Sequence, residues 1–146
     1  IKQANLDTII VLLERVKHQQ FQNVHEYSDR KRELIINAID YIEKNMKKQV
    51  DFNDLARSYY LSSNYFRTIF KNVTGLTPLD YLNRTRIVKS LDYLYEPDKS
   101  IADAAAAVGI LDANYYSRLF KKIMGYSPRH YKSQFKLKNI KPQTNI

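Results

Sequence analysis

Residues 101–131 read IADAAAAVGILDANYYSRLFKKIMGYSPRHY, and a related stretch, FNDLARSYYLSSNYFRTIFKNVTGLTPLDY, lies earlier in the chain at 52–81. Seven residues recur unchanged at a spacing of fifty: Asn64, Tyr65, Phe70, Lys71, Gly75, Pro78 and Tyr81 match Asn114, Tyr115, Phe120, Lys121, Gly125, Pro128 and Tyr131. Near the start of each stretch the spacing is forty-nine, which places one extra residue of the second copy at 109–112. Two copies are too few for a solenoid, so the repeat predicts a pair of small modules.

Composition limits the classes of protein to which the chain can belong. Its 146 residues suffice for one domain or two very small ones, and 44% of them are hydrophobic. Cysteine is absent, which excludes disulfides, Cys-ligated zinc and thiol catalysis and fits a cytoplasmic protein. No apolar run approaches the roughly 20 residues of a membrane span, and the start lacks the layout of a signal peptide. The chain begins with Ile, as a fragment of a longer protein would.

Positive charge is concentrated near the C-terminus. The net charge is +9, and residues 97–146 alone carry nine Lys/Arg against three Asp/Glu, a net +6. A basic region of this kind suits a polyanionic partner, although a solvated Lys-rich surface has the same composition.

Apolar residues at helical spacing predict an all-α fold throughout. Residues 1–27 are predicted to hold an amphipathic helix at 4–20 and a linker; this helix would serve as a homodimer contact, as part of an upstream domain, or as packing for the rest of the chain. The domain at 28–137 is predicted to begin with a helix. Its remaining parts are a first helix-turn-helix at about 52–75, a linker helix at about 78–96, a second helix-turn-helix at about 100–125 and a last helix at about 127–137. The tail at 138–146 is polar and is predicted to be disordered.

Each module is predicted to be a short helix, a tight turn and a second helix that buries an apolar stripe. The two stripes are Tyr65, Phe66, Ile69, Phe70 and Val73, and Tyr115, Tyr116, Leu119, Phe120 and Ile123. Ala56 and Ala105 allow the two helices of a module to approach closely, and Gly109 suits a left-handed turn. Tyr60 stands at the position that matches Gly109, which counts against the same turn in the first module.

The residues left outside these stripes indicate a surface for DNA. They contain no acidic residue, as a surface that approaches phosphates requires. Amide and small residues precede Arg, which suits a helix whose N-terminal half enters a major groove. The predicted base-reading residues are Ser63, Asn64, Arg67 and Thr68 in the first module and Asn114, Ser117 and Arg118 in the second. The predicted phosphate contacts are Lys71, Lys121, Lys122 and Arg129.

These motifs resemble the AraC/XylS family of bacterial transcription regulators. The resemblance covers about residues 34–136 and is most specific at YYSRLFKK, 115–122, followed by GYSP, 125–128. It implies a seven-helix domain with two helix-turn-helix units joined by a long helix, which binds double-stranded promoter DNA in adjacent major grooves and contacts RNA polymerase. The chain departs from the family pattern at Ala104, Ile110 and Tyr116, where Ile, Phe and Phe are usual, and we expect all three on the core side.

Other classes of function have less support in the sequence. No Gly-rich loop, no nucleophile beside a base and no cluster of metal ligands indicates an enzyme, a cofactor or a metal site. A narrow A-form major groove would exclude these helices, which disfavours RNA. The alternative that stays open is a helical protein-interaction module that uses the helix at 4–20.

Overall fold

The structure, a computed structural model, describes residues 29–138 and places the side chains of residues 30–134. The helix predicted at 4–20 and the tail predicted beyond Lys138 lie outside the described residues. Between 29 and 138 the chain forms seven helices and no strand, which confirms the predicted all-α fold. In chain order they are α1 Asp29–Asn45, α2 Phe52–Ser58, α3 Ser63–Thr74, α4 Pro78–Tyr95, α5 Ile101–Ala107, α6 Ala113–Met124 and α7 Pro128–Lys138. No helix in this range is both long and apolar enough to cross a bilayer.

Helix boundaries follow local capping chemistry. The side chains of Asp51, Ser62 and Ser100 accept hydrogen bonds from the first backbone N–H groups of α2, α3 and α5, as N-cap residues do. Thr77 and Ser127 do the same before the two prolines that begin α4 and α7. The linker helix therefore starts where the sequence predicts and ends at Tyr95, one residue before the predicted end.

The chain divides into an N-terminal unit that ends at Thr85 and a C-terminal unit that begins at Arg86. Helix α4 contributes residues to both units. In the N-terminal unit α3 packs on α1 and α2. The buried side chains of this unit are Ile35, Ala38, Ile42, Met46, Leu55, Ala56, Phe66, Ile69, Phe70, Val73, Tyr81 and Leu82. In the C-terminal unit α6 packs on α5 and α7. Its buried side chains are Ile87, Leu91, Leu94, Ala104, Ala105, Val108, Ile110, Tyr116, Phe120, Met124 and Tyr131.

The repeat seen in the sequence is also a repeat of core packing. In the N-terminal unit the Phe70 ring lies 5.9 Å from the ring of Phe66 and 5.7 Å from that of Tyr81, centroid to centroid. In the C-terminal unit Phe120 lies 5.8 Å from Tyr116 and 6.1 Å from Tyr131. The first ring pair is tilted by 52° in both units. Each unit therefore builds its core around the same trio of aromatic side chains.

Both helix-turn-helix units make the same turn, so the expectation that Tyr60 counts against it is wrong. Tyr60 has a φ of 60°, in the left-handed region that Gly109 occupies at 85°. The N–H of Leu61 donates to the Ala56 carbonyl over 3.0 Å, and the equivalent bond from Ile110 to Ala105 is 2.9 Å. Because its side chain is 98% exposed, Tyr60 adopts this backbone without a clash in the core.

The extra residue of the second copy is Leu111. Leu61 is followed directly by the N-cap residue of α3, whereas Ile110 is separated from Asp112, the N-cap residue of α6, by one residue. Leu111 is 92% exposed, so the insertion is absorbed in the loop predicted from the spacing. The three departures from the family pattern, Ala104, Ile110 and Tyr116, are buried, which confirms that they are changes to the core.

Candidate nucleic-acid interface

The second helix of each unit, α3 or α6, is held at both ends. Ser62 Oγ accepts a hydrogen bond from the N–H of Tyr65 over 3.2 Å. Asp112 Oδ1 accepts bonds of 2.9 and 3.1 Å from the N–H groups of the second and third residues of α6. At the other ends Gly75 and Gly125 adopt φ values of 77° and 87° and their N–H groups close the last turn. Each helix is therefore a defined rod of 12 residues.

The structure exposes most of the predicted DNA-binding side chains. On α3 these are Asn64, Arg67, Thr68 and Lys71, and on α6 they are Asn114, Arg118, Lys121 and Lys122. Arg129, on α7, is also exposed, whereas Ser63 and Ser117 are partly buried. Neither α3 nor α6 contains an acidic residue. The exposed side chains of α3 and of α6 thus form two candidate surfaces, one in each unit.

Most of the exposed cations in these surfaces have no protein counter-ion. Within residues 29–138 two ion pairs, Lys44–Asp40 and Arg57–Asp54, are resolved on exposed surfaces, and both lie outside α3 and α6. Arg67, Arg118 and the three lysines of α3 and α6 form none with the described residues. Their charge is therefore available to a ligand such as DNA, which exchanges bound counter-ions for protein cations.

Thr68 has a more restricted role than the sequence suggests. Its Oγ1 donates a hydrogen bond of 2.9 Å to the carbonyl of Asn64, one turn earlier in α3. The hydroxyl proton is thereby engaged by the helix backbone. Thr68 can offer a base an acceptor oxygen or a methyl group.

Two tyrosines that were expected in the core lie at the surface, so that expectation is wrong. Tyr65 is 44% exposed and Tyr115 is 43% exposed, whereas Phe66 and Tyr116, the next residues, are buried. Each tyrosine lies at the boundary between the buried stripe and the exposed side of its helix. Helical periodicity does not decide whether a residue at this boundary is buried. Neither the residue type nor its repetition signals this position, since Tyr81 and Tyr131 also recur in both copies and are buried.

A cation lies beside the Tyr65 ring, and a second interacts electrostatically with Tyr115. The Nζ atom of Lys31, on α1, lies 5.9 Å from the centroid of the Tyr65 ring. In the C-terminal unit burial lowers the pKa of the Arg86 guanidinium, and the neighbouring Tyr115 phenol acts in the opposite direction. Lys31 and Arg86 were not among the residues predicted to bind DNA, because neither belongs to a recognition helix.

Nothing in the described part of the chain forms a group of three or more potential metal-ligating side chains.

The N-terminal unit has a groove of about 330 Å³ beside α3. It is lined by Phe52, Asn53, Ser63, Phe66, Arg67, Thr77, Pro78 and Leu79. Arg67 thus forms part of the wall of this groove.

Comparison with known proteins places this pair of capped, acid-free helices in a class. A family described as a helix-turn-helix domain matches residues 55–134, more than half of the chain. The C-terminal domain of the two-component response regulator YesN from Fusobacterium nucleatum is similar, with 32% identity, a TM-score of 0.61, and coverage of 72% of this chain and 99% of that one. The DNA-binding domain of AdpA, solved with a target DNA, has the same fold at 23% identity, with a TM-score of 0.65 and coverage of 72% and 95%.

Curated relatives give the same assignment. The transcriptional activator RhaS of Pectobacterium carotovorum is 28% identical over 110 residues, which are 75% of this chain and 39% of that protein. AdaA of Bacillus subtilis, a bifunctional transcriptional activator and DNA repair enzyme, is 31% identical over 74 residues, 51% of this chain and 35% of that protein. The chain thus spans about two fifths or less of the length of these relatives. It carries two helix-turn-helix units and belongs to the AraC/XylS family of transcription regulators.

Proposed function

We propose that this chain is the DNA-binding part of a bacterial transcription activator and that it recognises a specific duplex sequence through α3 and α6. The observation that carries the proposal is the repetition of one surface: in each unit a capped helix exposes Asn, Arg and Lys and contains no acidic residue. Relatives whose names describe transcriptional activators support the same function. In this proposal the DNA-binding domain is 28–137.

The base-reading side chains are those on the N-terminal two turns of each helix. Arg67 and Arg118 can each donate two hydrogen bonds to the O6 and N7 atoms of guanine. Asn64 and Asn114 can each bond the N6 and N7 atoms of adenine. The smaller residues Ser63, Thr68 and Ser117 complete the two reading surfaces.

The cations that follow these residues bind phosphate. Lys71, Lys121 and Lys122 are exposed in the C-terminal half of their helices, and Arg129 is exposed in the first turn of α7. A cation on a phosphate strengthens binding to any duplex, because the backbone is the same for every sequence. The residues of α3 and α6 therefore divide into those that set the sequence preference and those that set the general affinity.

Two recognition helices on one chain provide the means to read two half-sites. In B-DNA, successive major grooves on one face are separated by about 34 Å. We propose that α3 and α6 occupy two such grooves. The proposal also includes a contact with RNA polymerase beside the promoter, a cytoplasmic location and self-association through residues 4–20.

The test is selection of bound duplexes from a random-sequence pool, followed by protection of the selected site from cleavage. We expect two half-motifs one helical turn apart, each protected in the major groove. Arg67→Ala should erase the preference within one half-motif and Arg118→Ala within the other, which makes each variant the control for its partner. Binding with no recovered motif, or two variants that erase the same half-motif, would contradict the proposal.

A further inference from the structure

Tyr65 and Tyr115 occupy one register in the two units, at the edge of the reading faces. Each is the third residue of its helix. Residues three and seven positions later lie on the same side of a helix. For Tyr115 these residues are Arg118 and Lys122, two of the proposed DNA contacts. A ring at this edge is close to any ligand that α3 or α6 binds.

The hydroxyl groups of these two tyrosines have no partner within residues 29–138. The buried tyrosines behave differently, since Tyr81 donates to Glu43 over 3.1 Å and Tyr116 donates to Ser90 over 2.7 Å. At about 44% exposure the ring of Tyr65 retains its contact with the unit while its phenol remains open to a ligand. Each unit thus presents a hydrogen-bond donor beside its recognition helix.

Tyr65 has a cation beside its ring. Lys31 belongs to α1, and its Nζ lies 5.9 Å from the centroid of the Tyr65 ring. In the N-terminal unit a phenol hydroxyl and an ammonium group therefore lie close to one another beside α3.

We propose that Lys31 with Tyr65 binds one phosphate of the DNA backbone beside the groove that α3 reads, and that the phenol of Tyr115 binds the equivalent phosphate beside α6. A phenol donates a hydrogen bond and a cation supplies charge, the two features that a phosphate oxygen requires. Stacking on a base is a poorer match, because the bases of a duplex present their edges, and not their faces, in the grooves. This inference rests on the proposed function.

The first test removes one hydroxyl at a time. Tyr65→Phe and Tyr115→Phe keep the ring and therefore its packing. Each should weaken binding about tenfold, the cost of one hydrogen bond to a charged group, and by the same factor on the selected duplex and on an unrelated one. Tyr41→Phe, a substitution of a 44% exposed tyrosine on α1, is the matched control and should bind like the wild type.

The second test asks whether the two members of a pair bind the same phosphate. Lys31→Gln should reduce the slope of log affinity against log salt by about 0.9. In the Tyr65→Phe background its effect should be smaller than in the wild type, because partners in one interaction are not additive. Circular dichroism should confirm that the single and double variants are folded.

The outcomes separate this inference from the function on which it rests. If the wild type prefers the selected duplex but both Phe variants bind as tightly as Tyr41→Phe, the phosphate contacts are refuted and the proposed function stands. A loss confined to the selected duplex would make the phenols base contacts and would also refute the phosphate contacts. A wild type that shows no preference between duplexes would instead contradict the proposed function.

Discussion

The hydroxyl of Tyr116 donates a hydrogen bond of 2.7 Å to Oγ of Ser90, and both side chains are fully buried in the C-terminal unit. Ser90 in turn donates to the carbonyl of Ile87 over 2.6 Å. The position that matches Tyr116 in the N-terminal unit is Phe66, which has no hydroxyl. The two cores share one aromatic arrangement, but the C-terminal core adds a buried polar chain that must remain paired.

Removing one partner of this pair should cost more than removing both. Ser90→Ala leaves the Tyr116 hydroxyl buried without an acceptor, which should lower the free energy of unfolding by about 2 kcal/mol. The double variant with Tyr116→Phe removes both polar groups and should recover about half of that loss. Urea denaturation followed by circular dichroism measures both values. Additive losses in the double variant would show that the hydrogen bond does not couple the two residues.

Alkaline pH should destabilise the fold through its buried tyrosines. Burial raises the pKa of Tyr116 to about 12, with the Ser90 hydrogen bond opposing the shift, and burial, followed by nearby charges, raises that of Tyr131 to about 12. The unfolded chain loses these protons near the ordinary value of 10.0, so between pH 10 and 12 it binds fewer protons than the folded state. The contribution of these two tyrosines should therefore be constant below this window, and stability should fall as the pH rises through it.

The measurement is the urea midpoint as a function of pH. Tyr116→Phe should flatten the decline between pH 10 and 12, because the variant lacks one of the groups that titrate on unfolding. Equal slopes in the wild type and in Tyr116→Phe would show that this phenol does not contribute.

The fold could be predicted largely from local chemistry. Ser62, Ser100 and the glycines that end α3 and α6 act within a few residues of their own position, so their roles can be derived from the sequence. The turn at Tyr60 could not be predicted in this way, because the energetic cost of a left-handed non-glycine residue is small compared with the packing that fixes the turn. The partner of Tyr116 was equally inaccessible, since Ser90 is 26 residues away and contacts it only in the folded chain.

Substitution of Tyr60 by a residue that tolerates the left-handed region should stabilise the N-terminal unit. Its φ of 60° costs an ordinary side chain about 1 kcal/mol, whereas Asn adopts this region with less strain. Because the ring is 98% exposed, Tyr60→Asn loses little packing and should raise the free energy of unfolding by about 0.5 kcal/mol. Tyr60→Ala is the control, since alanine pays a similar backbone cost. If both variants stabilise equally, the strain at this φ is not the cause.

A lysine from α7 stabilises the end of α4. The Nζ atom of Lys132 lies 3.4, 3.1 and 2.5 Å from the carbonyl oxygens of Leu94, Glu96 and Lys99. The last turn of α4 has no basic residue of its own, so Lys132 supplies the cation that favours a helix C-terminus. Lys132→Met should lower the free energy of unfolding by about 1–2 kcal/mol.

Thermal unfolding of the isolated chain tests this contribution. Lys89→Met, which removes an exposed lysine from α4 itself, is the control and should leave the melting temperature nearly unchanged. A Lys132→Met variant that melts with the control would show that the three carbonyl contacts add nothing to stability.

Helical periodicity correctly predicted which side chains of α3 and α6 are exposed, except for residues at the edge of the buried stripe. Arg67 and Arg118 lie far enough from the buried stripe for the period to place them outward. Tyr65 and Tyr115 border the stripe, so the same argument placed them in the core. Lys31, the cation beside Tyr65, belongs to another helix, and no pattern within α3 can reveal such a neighbour.

Base contacts and phosphate contacts should respond differently to mutation on the same helix. Arg118→Ala should cost about 1–3 kcal/mol on the selected duplex and relax the preference at one base pair, since a bidentate Arg–guanine contact discriminates between bases. Lys121→Ala, one turn away and also exposed, should weaken binding to every duplex alike and reduce the salt slope by about one. Titration of both variants against the selected and an unrelated duplex at several salt concentrations measures both effects. An equal loss on both duplexes for Arg118→Ala would make it a phosphate contact, and an unchanged salt slope for Lys121→Ala would remove that residue from the interface.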